Sequence, residues 1–412
     1  MSHQTTGEDI THPKQTGESL DSPLSIRFHY LDNVRALAMF AGILFHAALA
    51  YSPLMHNLWF TTSSQSSAVF DMFSWFIHLF RMPVFFLISG FFTVMLIQKR
   101  GISGLLKNRA LRILLPFIVF YPFIMWSYVA LIEWGVNNVE NLSPMLQFFK
   151  MMKDVPDAPP PELSTTHLWF LFNLFLFVLT VALMHKLKFF QSQFVSKITS
   201  VKFIIFIFPL VLVPALVTQS VPHPAPEKFY PQLWSFGFYG LFFILGCMVF
   251  LKQNILDQLN RYKNGLLAAS IIIYAYFYYT LPDTITVEAI MAMMAGSNYD
   301  LSYFIKQLPL ALAEAYIAVY MTLYCLLIGK QFLNKHNKVF KLISDSSYWV
   351  YIIHMPVLLM VQFLMTDIEI NMWLQFVISV SVTFIIGMST YFAFIRWSPI
   401  GWLLNGRKKK AV

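Results

Sequence analysis

The chain has 412 residues, of which 57% are hydrophobic and 12% charged, against about 25% charged in an ordinary soluble domain. That composition excludes a water-soluble globular protein and predicts an all-α polytopic membrane protein, with about ten transmembrane helices bundled around a polar intramembrane site. The net charge of +9 would suit a nucleic-acid partner only if it were clustered. It is instead parcelled out by loop, so no nucleic acid is expected.

Residues 1–25 are polar and read as a disordered cytoplasmic tail, and no cleavable signal pattern precedes the first apolar run. The predicted spans are 31–52, 68–97, 111–133, 167–186, 203–219, 234–251, 265–281, 307–329, 346–365 and 372–396, lengths that suit a hydrocarbon core of roughly 30 Å. The second is too long for one straight crossing and contains Met82-Pro83, so a kink there or a shallow first half is expected. The stretch 144–153 reads as a short surface helix. The membrane domain is taken as 26–400, and 401–412 as a basic cytoplasmic tail. Assigning alternate loops to one side gathers 22 of the 29 Lys and Arg with the termini and the loops 98–112, 186–202, 252–264 and 330–345. The positive-inside rule then places both termini in the cytoplasm, with membrane lipids around the bundle. Cys247 and Cys325 imply neither a disulfide framework nor a metal cluster.

Arg35 and His46 lie eleven residues apart in the first span. Eleven helical steps return to within roughly 20° of the starting direction, about 16 Å along the axis, so the two side chains share a face. An Arg at the centre of a span costs roughly 2.5–3.5 kcal/mol on insertion scales, and intramembrane ionisable groups are functional candidates by default. Arg35, near the cytoplasmic end, is either an interfacial cation paired with Asp32 or the first contact of an anionic donor. His46, deeper in, is the candidate general base, with structural hydrogen bonding as the alternative.

The second span adds His78 and Arg81 at i, i+3, one face of an outer vestibule, and then Ser89-Gly90, where glycine permits close helix approach. His167 opens the fourth span after the proline-rich run DAPPPE, as a substrate ligand or a member of the interfacial belt beside Trp169. His354, near the middle of the ninth span and two residues before Pro356, is a stronger site candidate. Ser89, His78, Arg81, His167 and His354 are therefore the expected substrate-binding residues. The run QKRGISGLLKNRALR offers Arg109 and Arg112, with Arg35, to donor phosphates, unless positive-inside topology alone explains it. Glu314 is isolated in sequence, and its partner is open. No P-loop, nucleophile elbow, HExxH or zinc-spaced cysteine pair is present.

Five segments carry a resemblance: YLDNVRALAMFAGILFHAALAYS (30–52), FIHLFRMPVFFLISGFF (76–92), HLWFLFNL (167–174), FYGLFFILG (238–246) and YWVYIIHMP (348–356). With them the chain resembles the type three membrane acyltransferases, whose first-helix signature is Arg or Lys, ten residues, then His. Within that family the likeness narrows to the branch that succinylates osmoregulated periplasmic glucans. The resemblance implies transfer of an acyl group, succinyl first, from cytoplasmic acyl-CoA to hydroxyls of an extracytoplasmic carbohydrate, with no permanently bound cofactor. It casts His46 as the base and Arg35 as its catalytic partner. Acetylation of another envelope polysaccharide, of lipopolysaccharide or of peptidoglycan is the alternative within the enzyme class. A carbohydrate transporter and a structural scaffold are the alternatives outside it.

Overall fold

A computed structural model describes residues 28–153, 155, 162–286, 301–335 and 337–405. The predicted tail 1–25, residues 157–161 of the proline-rich run and the last residues of the basic tail, 406–412, lie outside the described residues. The principal helices are α1 (His29–Ala48), α2 (Ala68–Arg109), α3 (Leu115–Asn138), α4 (Pro144–Lys153), α5 (Trp169–Lys186), α6 (Phe208–Leu216), α7 (Leu241–Leu251), α8 (Lys263–Tyr279), α9 (Leu301–Phe332), α10 (Lys338–Met365) and α11 (Met372–Thr390). Among the described residues there is no strand, only an isolated bridge between Ser164 and Lys228. The protein is an all-α polytopic membrane protein.

Each of the ten predicted spans falls on helix, but only seven helical stretches are long and apolar enough to cross a membrane among the described residues. One of the seven, Ala68–Asn138, is 71 residues long and contains the second and third predicted spans together. The apolar helix Phe203–Leu216 is shorter than the spanning length, and α8 has 17 residues.

No break in helical backbone conformation falls at Pro83, and the helix runs through it. A transmembrane helix tolerates proline where neighbouring groups satisfy the freed carbonyl. The departure comes instead at Gly101, with φ 68° and ψ 179°, a conformation that costs glycine little and other residues much. A Cβ there would meet nothing within 4 Å, so the demand on this residue is conformational. The basic segment 98–112, read from sequence as a loop, is consequently helical on both sides of that break and continues through a π-turn, Ala110–Leu114. The folded part also continues past residue 400, because the helix Pro399–Asn405 docks its Asn405 amide on the Asp345 carbonyl at 2.7 Å.

Two helices organise the bundle. α1 packs on α2, α9, α10 and α11, and α2 packs on α1, α5, α7 and α9. The α2–α7 crossing is set by reciprocal glycines. A Cβ on Gly90 would lie 1.9 Å from the Phe243 carbonyl oxygen, and one on Gly246 would lie 1.9 Å from the Leu87 carbonyl oxygen. Small residues let two backbones touch, which is how helices gain packing energy without a hydrophobic drive in lipid. The Cys247 thiol donates to the Gly90 carbonyl at 3.4 Å across the same contact.

Loops alternate between the two ends of the bundle. At the end where α1 begins, Asn33 donates to the Leu333 carbonyl at 2.7 Å, Lys330 pairs with Asp257 at 2.7 Å, and Lys252 donates to the Thr199 carbonyl at 2.9 Å. At the end where α1 finishes, Asn57 donates to the Ile285 carbonyl at 2.8 Å, Ser143 to the Phe60 carbonyl at 2.8 Å, and the backbone amides of Glu140 and Asn141 bind the Asp367 carboxylate. The basic loops therefore gather at one end.

Because Gly246 has no room for a methyl group against backbone, Gly246→Ala is expected to cost about 1–3 kcal/mol through overpacking. Gly265→Ala, where a Cβ meets nothing within 4 Å, is expected to be neutral or slightly stabilising. Thermal unfolding of the two detergent-solubilised variants measures the contrast, and equal midpoints would remove the crossing from its central place.

Candidate active site

Two cavities enter the bundle from its opposite ends. The larger, about 1140 Å³, lies at the end where α1 finishes and is lined by His46, Trp59, His78, His167, His223 and His354 among others. The smaller, about 310 Å³, lies at the end where α1 begins and is lined by Arg35, Ser89, Arg109, Arg112, Ser344 and Tyr348 among others. Four residues border both: Arg81, Met82, Tyr351 and His354. They form the waist between an imidazole-rich chamber and an arginine-rich one.

The first-span spacing explains how one helix serves both chambers. Arg35, Met39 and Gly42 line the smaller cavity and His46 the larger, a stripe at i, i+4, i+7 and i+11 on one face of α1. Arg35 and His46 thus share a face, as expected, but not a chamber. Arg35 holds Asp32 and Ser344 Oγ, each at 3.4 Å, so it belongs with the inner cations and away from the imidazole. Gly42 is the gap in the stripe. A Cβ there would lie 2.5 Å from Arg81 Nη1, and through this gap the guanidinium reaches α1 from α2.

Arg81 makes no ion pair among the described residues, and its Nε is buried without a hydrogen-bond partner. Its guanidinium carbon lies 5.0 Å from the Phe45 ring centroid. A cation at such depth is costly without a counter-ion, and the aromatic face and the two cavities offset only part of that cost. The sequence placed Arg81 in the outer vestibule with His78, whereas it stands at the waist and faces both chambers.

The histidines divide by their hydrogen bonds. His167 donates from Nε2 to the Ile352 carbonyl at 2.9 Å and accepts at Nδ1 from the Tyr128 hydroxyl at 3.2 Å, which leaves neither nitrogen for a ligand. Its own carbonyl accepts from the Tyr351 hydroxyl at 2.6 Å, so it braces α5 against α10. His354 donates from Nδ1 to the Tyr351 carbonyl at 2.7 Å. That bond fixes the tautomer and leaves a lone pair on Nε2, which has no hydrogen-bond partner among the described residues. The His46 ring lies 5.4 Å from the His354 ring, and its Nδ1 is buried and unpartnered. His78 donates from Nε2 to the His223 carbonyl at 2.9 Å and stacks on Phe45.

Several site residues escape a linear reading. His223 follows Pro222 and precedes Pro224, in a loop that offers no helical face to place it. In the structure it is 1% exposed. Its Nδ1 engages Glu314, and its Nε2 accepts from the Tyr239 hydroxyl at 2.7 Å. This gives the isolated Glu314 its partner. Such non-helical backbone is tolerated at depth because it lines a cavity. Gln362 holds the Trp59 indole at 3.2 Å and the Thr61 hydroxyl at 2.7 Å through one oxygen, and donates to the Ala47 carbonyl at 3.1 Å. It thereby fixes the loop over His46. At the chamber mouth Glu227 accepts from Ser164 at 2.7 Å, and burial pushes its carboxyl above the usual range, opposed by that hydrogen bond. Among the described residues no group of three His, Cys, Asp or Glu side chains is placed to hold a metal ion.

At the inner chamber the π-turn after α2 carries Arg112 toward the cavity, and the Tyr348 hydroxyl donates to the Arg112 carbonyl at 2.8 Å. π-turns of this kind mark functional positions often. Arg109 lines the same cavity with its Nε buried and unpartnered. Three cations around a small chamber suit phosphate or carboxylate.

Comparison with known proteins matches residues 28–392 to an acyltransferase domain, type 3. The chain is 25% identical over 393 residues to glucans biosynthesis protein C of Escherichia coli (strain K12), covering 92% of this chain and 95% of that protein. It is 26% identical over 345 residues to glucans biosynthesis protein C of Salmonella paratyphi B, covering 81% of this chain and 83% of that protein. No solved structure matches. The matched domain includes every residue lining the outer chamber and the waist, and all that line the inner chamber except Leu404 and Asn405, and the chain belongs to the type 3 acyltransferase family and is a membrane acyltransferase.

Proposed function

We propose that the protein transfers a succinyl group from cytoplasmic acyl-CoA to hydroxyls of an extracytoplasmic glucan. It does so in the bacterial inner membrane, with both termini in the cytoplasm. The observation that carries this reading is the waist: a cation chamber and an imidazole chamber open at opposite ends and share Arg81 and His354. A donor bearing phosphates fits the first and a neutral carbohydrate the second. The gathering of basic loops at the cation end supports the orientation, and the glucan-biosynthesis names of the relatives support the acceptor. The family supports catalysis over transport.

In this reading Arg35, Arg109 and Arg112 take the phosphates of CoA, and Ser89 lines the path of the pantetheine arm. The acceptor occupies the outer chamber beside His78, with His167 as a brace. A sugar hydroxyl is a weak nucleophile at neutral pH, and the neutral His46 imidazole takes its proton as the carbon–oxygen bond forms. The unpaired Arg81 guanidinium meets the free carboxylate of the succinyl group. That supplies the missing anion, and it distinguishes succinyl from acetyl, which has none. The direct test is incubation of purified protein in liposomes with labelled succinyl-CoA and a linear glucan. Label is expected in the glucan, and label recovered only as free acid would overturn the reading.

Arg81→Gln is expected to lower the succinyl-to-acetyl ratio of kcat/KM by about tenfold or more, the equivalent of about 1.4 kcal/mol of differential stabilisation. Steady-state kinetics with both donors decides it, and a uniform loss would make Arg81 a general packing or acceptor-side residue.

The orientation predicts labelling by an impermeant thiol reagent in intact cells. With the outer membrane permeabilised, a cysteine at the exposed Glu140 position is expected to react and one at the exposed Ser103 position to be protected. The opposite pattern would detach the cation chamber from the cytoplasmic donor.

A further inference from the structure

His354 borders both chambers, whereas His46 borders only the outer one. The tautomer of His354 is set by donation from Nδ1 to the Tyr351 carbonyl at 2.7 Å, so its Nε2 carries a lone pair, and no group among the described residues takes it. A thioester carbonyl arriving from the inner chamber meets this nitrogen at the waist before it meets the His46 ring, whose centroid lies 5.4 Å from that of His354. Two imidazoles thus stand in series along the line from one chamber to the other. Only the first is within reach of both substrates.

We propose that His354 is a catalytic nucleophile that carries the acyl group across the waist as an acyl-histidine, with His46 serving only the second half of the reaction. The proposal rests on the acyl-CoA reading above. In the first step the Nε2 lone pair attacks the thioester carbonyl carbon, a carbon–nitrogen bond forms, the carbon–sulfur bond breaks, and CoA leaves as the thiolate. The product is an acylimidazolium whose Nδ1–H still donates to the Tyr351 carbonyl, which stabilises the added charge. In the second step the acceptor hydroxyl gives its proton to His46 and its oxygen attacks the same carbonyl carbon. The carbon–nitrogen bond then breaks, and its electron pair returns to Nε2. His46 passes its proton to the CoA thiolate through water, and both imidazoles are again neutral. Splitting one difficult displacement into two is the usual advantage of a covalent intermediate, and its kinetic mark is a half-reaction that needs no acceptor.

The test is exchange of labelled free CoA into succinyl-CoA by the full-length protein in detergent with no carbohydrate present. Wild-type protein is expected to catalyse it. His46→Gln is expected to keep exchange within about threefold of wild type while losing transfer to glucan by about a hundredfold or more. His354→Gln is expected to lose both by about a hundredfold or more. Rapid acid quenching of wild-type protein with succinyl-CoA, followed by peptide mass mapping, reads the intermediate without any variant and is expected to place one succinyl group on the peptide containing His354. Exchange that survives in His354→Gln, a label that maps to His46, or a wild-type enzyme that transfers to glucan without any exchange would each overturn the proposal in favour of direct displacement or another nucleophile. A wild-type enzyme that uses no acyl-CoA at all would instead overturn the donor reading, and this inference with it.

Discussion

A guanidinium held at the waist of two chambers, with no carboxylate to pair with among the described residues, is the constraint on which the rest of this structure depends. A buried charge with no counter-ion is costly, and the fold accommodates Arg81 by giving it both cavities to face and the Phe45 ring to rest against. The consequence reaches into α1. A Cβ at position 42 would lie 2.5 Å from Arg81 Nη1, so the glycine between Arg35 and His46 leaves the guanidinium its present place against α1.

The neighbouring polar groups are arranged so that they do not neutralise this cation. Glu314, fully buried, is engaged by His223. Asp71 is engaged by Ser52 and by the Leu54 amide. Asp32 pairs with Arg35 at the far end of the inner chamber. Each of these three carboxylates has a partner other than Arg81. The histidines follow the same logic with hydrogen bonds: His167 is saturated and structural, while His354 is oriented by one bond and open at its other nitrogen. Position within the network, and not residue type, separates the saturated imidazole from the one with an open nitrogen.

Chamber shape depends in turn on backbone contact elsewhere. The reciprocal glycines at 90 and 246 bring α2 and α7 together, and the π-turn at Phe236–Gly240, just before α7, includes Tyr239, whose hydroxyl holds His223. The proline-flanked loop can then line the outer chamber with its backbone satisfied, because Glu314 accepts from the His223 amide at 3.4 Å and His78 donates to its carbonyl. Packing at one face of α2 is therefore coupled to the polar wall on another.

The sequence by itself determined the class of the protein, the helical segments and many of the polar residues that line the two chambers. Apolar length, loop charge and the eleven-residue spacing are local properties, and an α-helix converts such spacing into a shared face without tertiary help. Arg35, His46, His78, Arg81, Ser89, His167, His354, Arg109 and Arg112 all line one of the two chambers. What only the tertiary structure decided is which chamber each belongs to, which ones meet and which nitrogens are free. The break at Gly101 depended on the backbone freedom that glycine has, a positive φ that the run of residues around it does not announce. The inclusion of His223 depended on a loop fold that no helical period describes. The placing of Arg81 and His354 at a common waist depended on α2 and α10 converging on one level of α1, and contacts between helices far apart in sequence leave no period for a linear reading to find.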